Sequence, residues 1–145
     1  GSPLRMDLRR TPAGLLVLND SYNANPTSMA AAVDALAGLR ASGRCFAVLG
    51  PMAELGVHSA REHQRLGALV AKAGVELLVA VGAPELADGA RSAGAETVEV
   101  DTAEAALAAL APRLQAGDAV LVKASRVVGL ERVAAELLEL EVAAR

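Results

Sequence analysis

The 145-residue chain reads as an α/β protein built on a mostly parallel, doubly wound sheet. Two observations predict this. Apolar runs of strand length recur at 45–49, 77–81, 97–100 and 119–122, and segments with helical apolar spacing lie between and after them. Glycines at 43, 74, 94 and 117 stand after a helical segment and before a strand, where a left-handed cap is wanted. Strands that alternate with helices need crossover connections, and right-handed crossovers wind helices onto both faces of a parallel sheet.

The elements follow in order. Residues 4–10 alternate, with Leu4, Met6 and Leu8 against Arg5, Asp7 and Arg9, the period of a half-exposed strand. Thr11-Pro12-Ala13-Gly14 is a turn signal, and Leu15-Leu16-Val17-Leu18 is a buried strand, so the first two elements form a hairpin. A helix over 27–39 places Met29, Val33 and Leu36 on one face. A second, over 59–73, does the same with Leu66, Leu69 and Ala73. Shorter helices are expected at 84–92 and 103–115. The last, 129–143, carries Leu130, Val133, Leu137 and Leu140 at three- and four-residue spacing.

Composition supports one domain with a sizeable core: 53% of residues are hydrophobic and 21% charged, which excludes a disordered chain. The net charge of −3 is spread in mixed signs. That argues against a nucleic-acid partner and a polybasic membrane anchor. Tyr22 and Phe46 are the only aromatic side chains, so platforms for stacking bases are nearly absent. No apolar run approaches the ~18–20 residues of a membrane span, and no signal peptide is visible. The single Cys45 cannot form an internal disulfide, and a reduced, cytoplasmic compartment is the expectation.

Ligands of doubly wound sheets sit at the carboxyl ends of the strands, which selects the loops 19–26, 50–58, 82–84 and 123–128. The first is polar. Asn25 and Pro26 are an N-cap and first helical residue, but Asp20, Tyr22 and Asn23 together are not explained by capping. Asp20 is placed to accept ribose hydroxyls or metal-bound waters. In the second loop Glu54 is a candidate acid or base, Met52 and Leu55 pack beneath, and Ser59 with Glu62 fits a capping box. His63 in the following helix reads as structural rather than catalytic. In the last loop Lys123, Ser125 and Arg126 suit a phosphate or carboxylate. The bland alternative there is that Ser125 caps the last helix and Arg126 is solvated. Lys123 directly after an apolar strand needs a partner, because burying an ammonium is costly.

Several signatures are missing: a G-x-x-x-x-G-K-S/T phosphate loop, a G-x-G-x-x-G dinucleotide turn, a G-x-S-x-G elbow and a zinc-ligand spacing. Taken alone the chain looks like a binding half of something larger.

The same loops carry a resemblance. Asp20-Ser21-Tyr22-Asn23-Ala24-Asn25-Pro26 with Ser28-Met29, then Met52-Ala53-Glu54-Leu55-Gly56 with His63 and Gly67, then Val122-Lys123-Ala124-Ser125-Arg126 resemble the C-terminal domain of the Mur ligases. The D-S-Y-N-A-N-P string is the specific one and points to the branch that joins D-alanyl-D-alanine to UDP-N-acetylmuramoyl-tripeptide. The resemblance covers essentially the whole chain. It implies a Rossmann-like, mostly parallel six-stranded sheet with one antiparallel strand. It implies an ATP- and Mg2+-dependent, three-domain ligase of peptidoglycan synthesis that activates a carboxylate as an acyl phosphate before the amine attacks. Residues 1–145 would be its C-terminal domain, which brings the amine substrate, closes over ATP and works against the enzyme's own N-terminal and central domains. The phosphate loop would lie on the central domain, so the chain alone is expected not to turn over.

By resemblance, Lys123 and Ser125 are the catalytic candidates. Asp20 and Arg5 contact nucleotide, Tyr22, Asn23, Asn25 and Arg126 contact substrate, and the chain supplies no metal ligand. Two positions depart from the family: Pro51 replaces an aspartate of G-D-M, and Ala124 replaces a glycine of K-G-S. The first puts an acidic role of that loop in doubt, and the second restricts the backbone if the position needs positive φ. The competing readings are a receiver-like signalling domain, against which the lack of a carboxylate at Val81-Gly82-Ala83-Pro84 counts, and a folylpolyglutamate-type ligase, against which the S-Y-N-A-N-P string counts.

Overall fold

A computed structural model describes residues 6–20, 23–40, 43–125, 127 and 129–144. The strands are β1 (Met6–Arg10), β2 (Leu16–Asp20), β3 (Cys45–Leu49), β4 (Leu77–Val81), β5 (Thr97–Val100) and β6 (Ala119–Lys123). The helices are α1 (Pro26–Ala37), α2 (Ser59–Lys72), α3 (Pro84–Ser92), α4 (Ala103–Leu110) and α5 (Leu130–Glu139). Six strands form one sheet in the order β1-β2-β6-β3-β4-β5. Only β1 runs antiparallel, paired with β2; the other pairs are parallel. This is the predicted hairpin feeding a doubly wound sheet.

The period of two along each strand splits the core into two layers. Leu16, Leu18, Cys45, Ala47, Leu49, Leu78, Ala80, Ala119 and Leu121 pack under α1, α2 and α3. Their alternates Val17, Phe46, Val48, Val79, Val81, Val120 and Val122 pack under α4 and α5. The connection from β5 through α4 carries the chain back across the sheet and inserts β6 between β2 and β3. The exits of β2 and β3 lead to helices on one face, and the exit of β6 leads to α5 on the other. That divergence opens a crevice at the carboxyl end of β6.

Local signals explain the boundaries. Asn25 caps α1: its side chain accepts from the Ser28 amide at 2.8 Å, and Ser28 Oγ accepts from the Asn25 amide at 3.1 Å. Thr11 closes the first turn, donating its amide to Leu15 O and accepting the Leu15 amide on Oγ1. Gly74 and Gly94 take positive φ of 78° and 94° just past α2 and α3, as their position after the helix demands. Cys45 is buried, its thiol facing Leu36 O at 3.4 Å, and burial raises its pKa, so the thiol stays neutral.

Four expectations need correction. The capping box at Ser59 and Glu62 does not form: α2 starts at Ser59 itself, His58 before it supplies no side-chain cap, and Glu62 instead accepts from Arg65 at 3.1 Å. The last helix, expected over 129–143, runs only from Leu130 to Glu139, and the alternative in which Ser125 caps it also fails, since Gly129 at φ 78° precedes it without a side-chain cap. The helix expected over 103–115 ends at Leu110, with a 3-10 turn at Ala111–Arg113, because Pro112 cannot continue the α-helical ladder. Leu69 is 43% exposed; the buried stripe of α2 runs through His63, Leu66, Gly67 and Val70.

Gly67 is buried for a steric reason. α2 and α3 cross so closely that a Cβ on Gly67 would lie 2.3 Å from Leu86 O, and one on Gly89 would lie 2.1 Å from Gln64 O. Neither obstacle is a side chain that can turn away. Gly67→Ala should therefore destabilise the chain by about 1–3 kcal/mol, the cost of overpacking, read as a lower urea midpoint at unchanged slope.

Candidate functional site

The sheet register brings the strongest sequence candidates together. β2 and β6 pair with Asp20 opposite Lys123, and β6 and β3 pair with Leu49 opposite Lys123. Asp20 and Lys123 are the last residues of their strands and share a face, two positions beyond Leu18 and Leu121. Lys123 Nζ lies 2.9 Å from Asp20 Oδ2, and both side chains are 0% exposed. The same ammonium donates to Asn23 O at 3.0 Å. The partner that Lys123 required is thus the Asp20 carboxylate, and together they hold the start of the β2–α1 loop.

The neighbouring polar groups divide between holding the fold and facing outward. Asn23 is exposed, while its carbonyl is held from two sides, by Lys123 and by Ser28 Oγ at 2.7 Å. Asn25 commits its side-chain oxygen to the α1 cap. Ser125 is half-buried, and its amide donates to Pro51 O at 3.2 Å. Arg5, Tyr22 and Arg126 lie outside the described residues.

On the α5 side of the β2–β6 seam, a cleft of about 150 Å³ is lined by Asn19, Asp20, Lys123, Ser125, Val127 and Glu131, among others. A second cleft of about 210 Å³ beside it is lined by Asp7, Arg9, Asn19, Glu131 and Leu138, among others. Asn19 and Glu131 border both. Neither was singled out from the sequence. Asn19 carries a signal in retrospect: it is a polar residue at the alternation position after Leu15 and Val17, where the strand still runs. Glu131 has none, being one of several acidic residues on the last helix.

The 50–58 loop closes the other side of the β6 exit. Gly50 donates its amide to Lys123 O at 3.0 Å. A Cβ on Gly50 would sit 2.6 Å from both Ala124 Cβ and Val127 Cγ2, so the two loops touch backbone to side chain. Glu54 takes φ 61°, the only non-glycine positive φ among the described residues. Met52 is buried and Leu55 packs against the same core, as expected. Ala124 does not need positive φ, so its methyl group imposes no backbone strain. Pro51, whatever its lost acidity, supplies a carbonyl to Ser125. Among the described residues no three His, Cys, Asp or Glu side chains converge as a cation site.

A fully buried ion pair makes a sharp prediction. Lys123→Met leaves the Asp20 carboxylate without its ammonium and should cost about 3–5 kcal/mol, whereas the double variant Asp20→Leu with Lys123→Met should recover most of that loss. Urea unfolding of the three proteins measures both.

Comparison with known proteins agrees with this geometry. The family model described as Mur ligase, glutamate ligase domain, matches residues 4–126. The UDP-N-acetylmuramoyl-tripeptide–D-alanyl-D-alanine ligase of Mycobacterium tuberculosis is 40% identical over 156 aligned positions, covering 92% of this chain and 31% of that protein. A MurF ligase from Thermotoga maritima, solved in complex with ADP, superposes with a TM-score of 0.74 at 34% identity over 96% of this chain and 31% of that one. A MurF from Acinetobacter baumannii superposes at 0.79 with 33% identity, over 97% of this chain and 31% of that one. The chain therefore spans about a third of the length of the relatives it matches. The receiver-like alternative falls with this match, and also because the strands at the centre of the sheet, β3 and β6, end without a carboxylate, on Leu49 and Lys123. With its sheet order, its strand-end loops and a match from residue 4 to residue 126, the chain belongs to the Mur ligase glutamate ligase domain family.

Proposed function

We propose that this chain is the C-terminal domain of an ATP-dependent ligase that joins D-alanyl-D-alanine to UDP-N-acetylmuramoyl-tripeptide in peptidoglycan synthesis. The observation that carries this reading is the β6 exit. The crevice where the β2 and β6 loops part is bordered by Asn19, Ser125 and Glu131 and braced beneath by the Asp20–Lys123 pair.

The clefts fit one wall of a nucleotide or substrate site rather than a whole one. About 150 and 210 Å³ fall short of the roughly 300 Å³ at which enclosed small-molecule sites begin. In this reading the enzyme's central domain supplies the other wall, together with the phosphate loop absent here. Mg2+ would be held outside this chain, since among its described residues no three acidic or metal-ligating side chains converge. ATP supplies the phosphoryl group that turns a carboxylate oxygen into a leaving group.

This chain's residues bind and orient. Ser125 lines the cleft, and with its amide spent on Pro51 O its hydroxyl is the donor left for charge on phosphate or tetrahedral oxygens. Asn23 offers an exposed side-chain amide whose backbone is fixed. Asp20 and Lys123 neutralise each other out of solvent, so here they act as a brace for Asn23 rather than as contacts to ligand. Arg5, Tyr22 and Arg126 remain proposed contacts on the strength of the family strings alone.

Two experiments test this. The chain alone, given Mg-ATP and both substrates, should release no phosphate; turnover would overturn the reading. A chimera in which this chain replaces the matching third of the Mycobacterium tuberculosis relative should form the amide. In that chimera Ser125→Ala should lower kcat/KM by about tenfold, the scale of one lost hydrogen bond. A folded chimera without ligase activity would refute the assignment.

A further inference from the structure

We infer that His63 is a positioning residue for Ser125, acting through the 50–55 loop. The inference rests on the proposed reading in one respect only, that Ser125 stands where ligand binds.

His63 lies in the second turn of α2 and is 4% exposed. Its Nε2 accepts the Met52 amide at 2.9 Å. Its Nδ1 lies 2.7 Å from Ser59 O, a carbonyl that can only accept. The hydrogen-bond network therefore assigns the proton to Nδ1, which donates to Ser59, and leaves Nε2 as the bare acceptor. Both ring nitrogens are spent inside the protein. The ring does no proton transfer here; it ties the loop to the helix.

What the ring holds leads to the site in two steps. Met52 is buried, so its amide has no water to fall back on. Its neighbour Pro51 accepts the Ser125 amide at 3.2 Å, and Gly50 donates to Lys123 O at 3.0 Å. The loop is thereby stitched to the β6 exit on both sides of Ala124. Contact is already tight there, since Gly50 leaves no room for a Cβ beside Ala124 and Val127. The loop then turns through Glu54 at φ 61°, a conformation that persists in a non-glycine residue only when its surroundings hold it. Removing the imidazole acceptor unpairs the Met52 amide, lets the loop shift, and withdraws the carbonyl that fixes Ser125.

Amide hydrogen exchange on the 145-residue chain tests this, with the Val48 amide in β3 as reference for global opening. His63→Leu keeps apolar bulk and removes both bonds; His63→Gln keeps an acceptor near the Nε2 position. Relative to Val48, His63→Leu should speed exchange at both Met52 and Ser125 by about tenfold or more, while His63→Gln stays within about threefold of the parent, as local rather than global opening requires. Acceleration at Met52 alone, or none relative to Val48, overturns the inference. If His63→Leu does not fold, the same exchange ratios are read on His63→Phe, which fills the ring's place and offers no acceptor; Ser125 exchange unchanged relative to Val48 there overturns the inference. A parallel titration with ADP separates the two readings. A Ser125 amide that answers ADP but not His63 sinks the coupling alone. One that answers His63 but not ADP sinks the ligand-binding reading and leaves the coupling standing.

Discussion

A lysine ammonium and an aspartate carboxylate, both wholly out of solvent at 2.9 Å, set the terms for the carboxyl end of this sheet. Neither charge is tolerable there alone, so β2 and β6 must pair in the one register that places Asp20 opposite Lys123. A slip of one residue between the two strands would turn one of these side chains to the other face and leave the two charges apart, each buried in a different core layer. The ammonium also fixes Asn23 O, so the chain is held at Asn23 before α1 begins. Everything proposed for the β2–α1 loop depends on this brace.

The opposite end of β6 is pinned in a related way. Arg44 makes a two-pronged contact with Asp118, at 3.2 and 2.9 Å, and reaches Arg113 O at 2.7 Å. The hydrogen-bonded Asp118 carboxylate pushes the Arg44 guanidinium further up from an already high value, so the guanidinium keeps its charge throughout. Asp118 also accepts the Gln115 amide at 2.8 Å. The central strand is thus fixed by charge at both ends, and the apolar stretch between is left to packing. Such rigidity suits a strand whose exit loop presents Ser125, because a donor assists a reacting group only if it is already in place.

Helix α2 joins the two halves of this design. Its Gly67 lets α3 approach to backbone contact, and its His63 reaches the other way to hold the loop after β3. One helix therefore sets a packing distance on one side and a loop position on the other. Replacement of the family's aspartate by Pro51 is compatible with this, since the loop uses the carbonyl at that position, and a carbonyl does not depend on the side chain.

Much of this was legible in the residues. The alternation of apolar runs and helical spacing determined the α/β class, the hairpin and the existence of each strand. Asn25-Pro26 determined where α1 starts, and the loop strings pointed to the family. These are local properties: period, capping and turn chemistry act over a few residues and can be read there. The sequence also showed that Lys123 needed a partner, but the partner lies about a hundred residues away, and only the crossover that inserts β6 beside β2 decides that it is Asp20. For the same reason Asn19 and Glu131 meet across a cleft that no spacing reveals, and the His63 bond to Met52 rather than to solvent depends on how α2 lies on the sheet. Long-range pairings follow from strand order and from which face each helix takes, and those are settled by the packing of the whole chain.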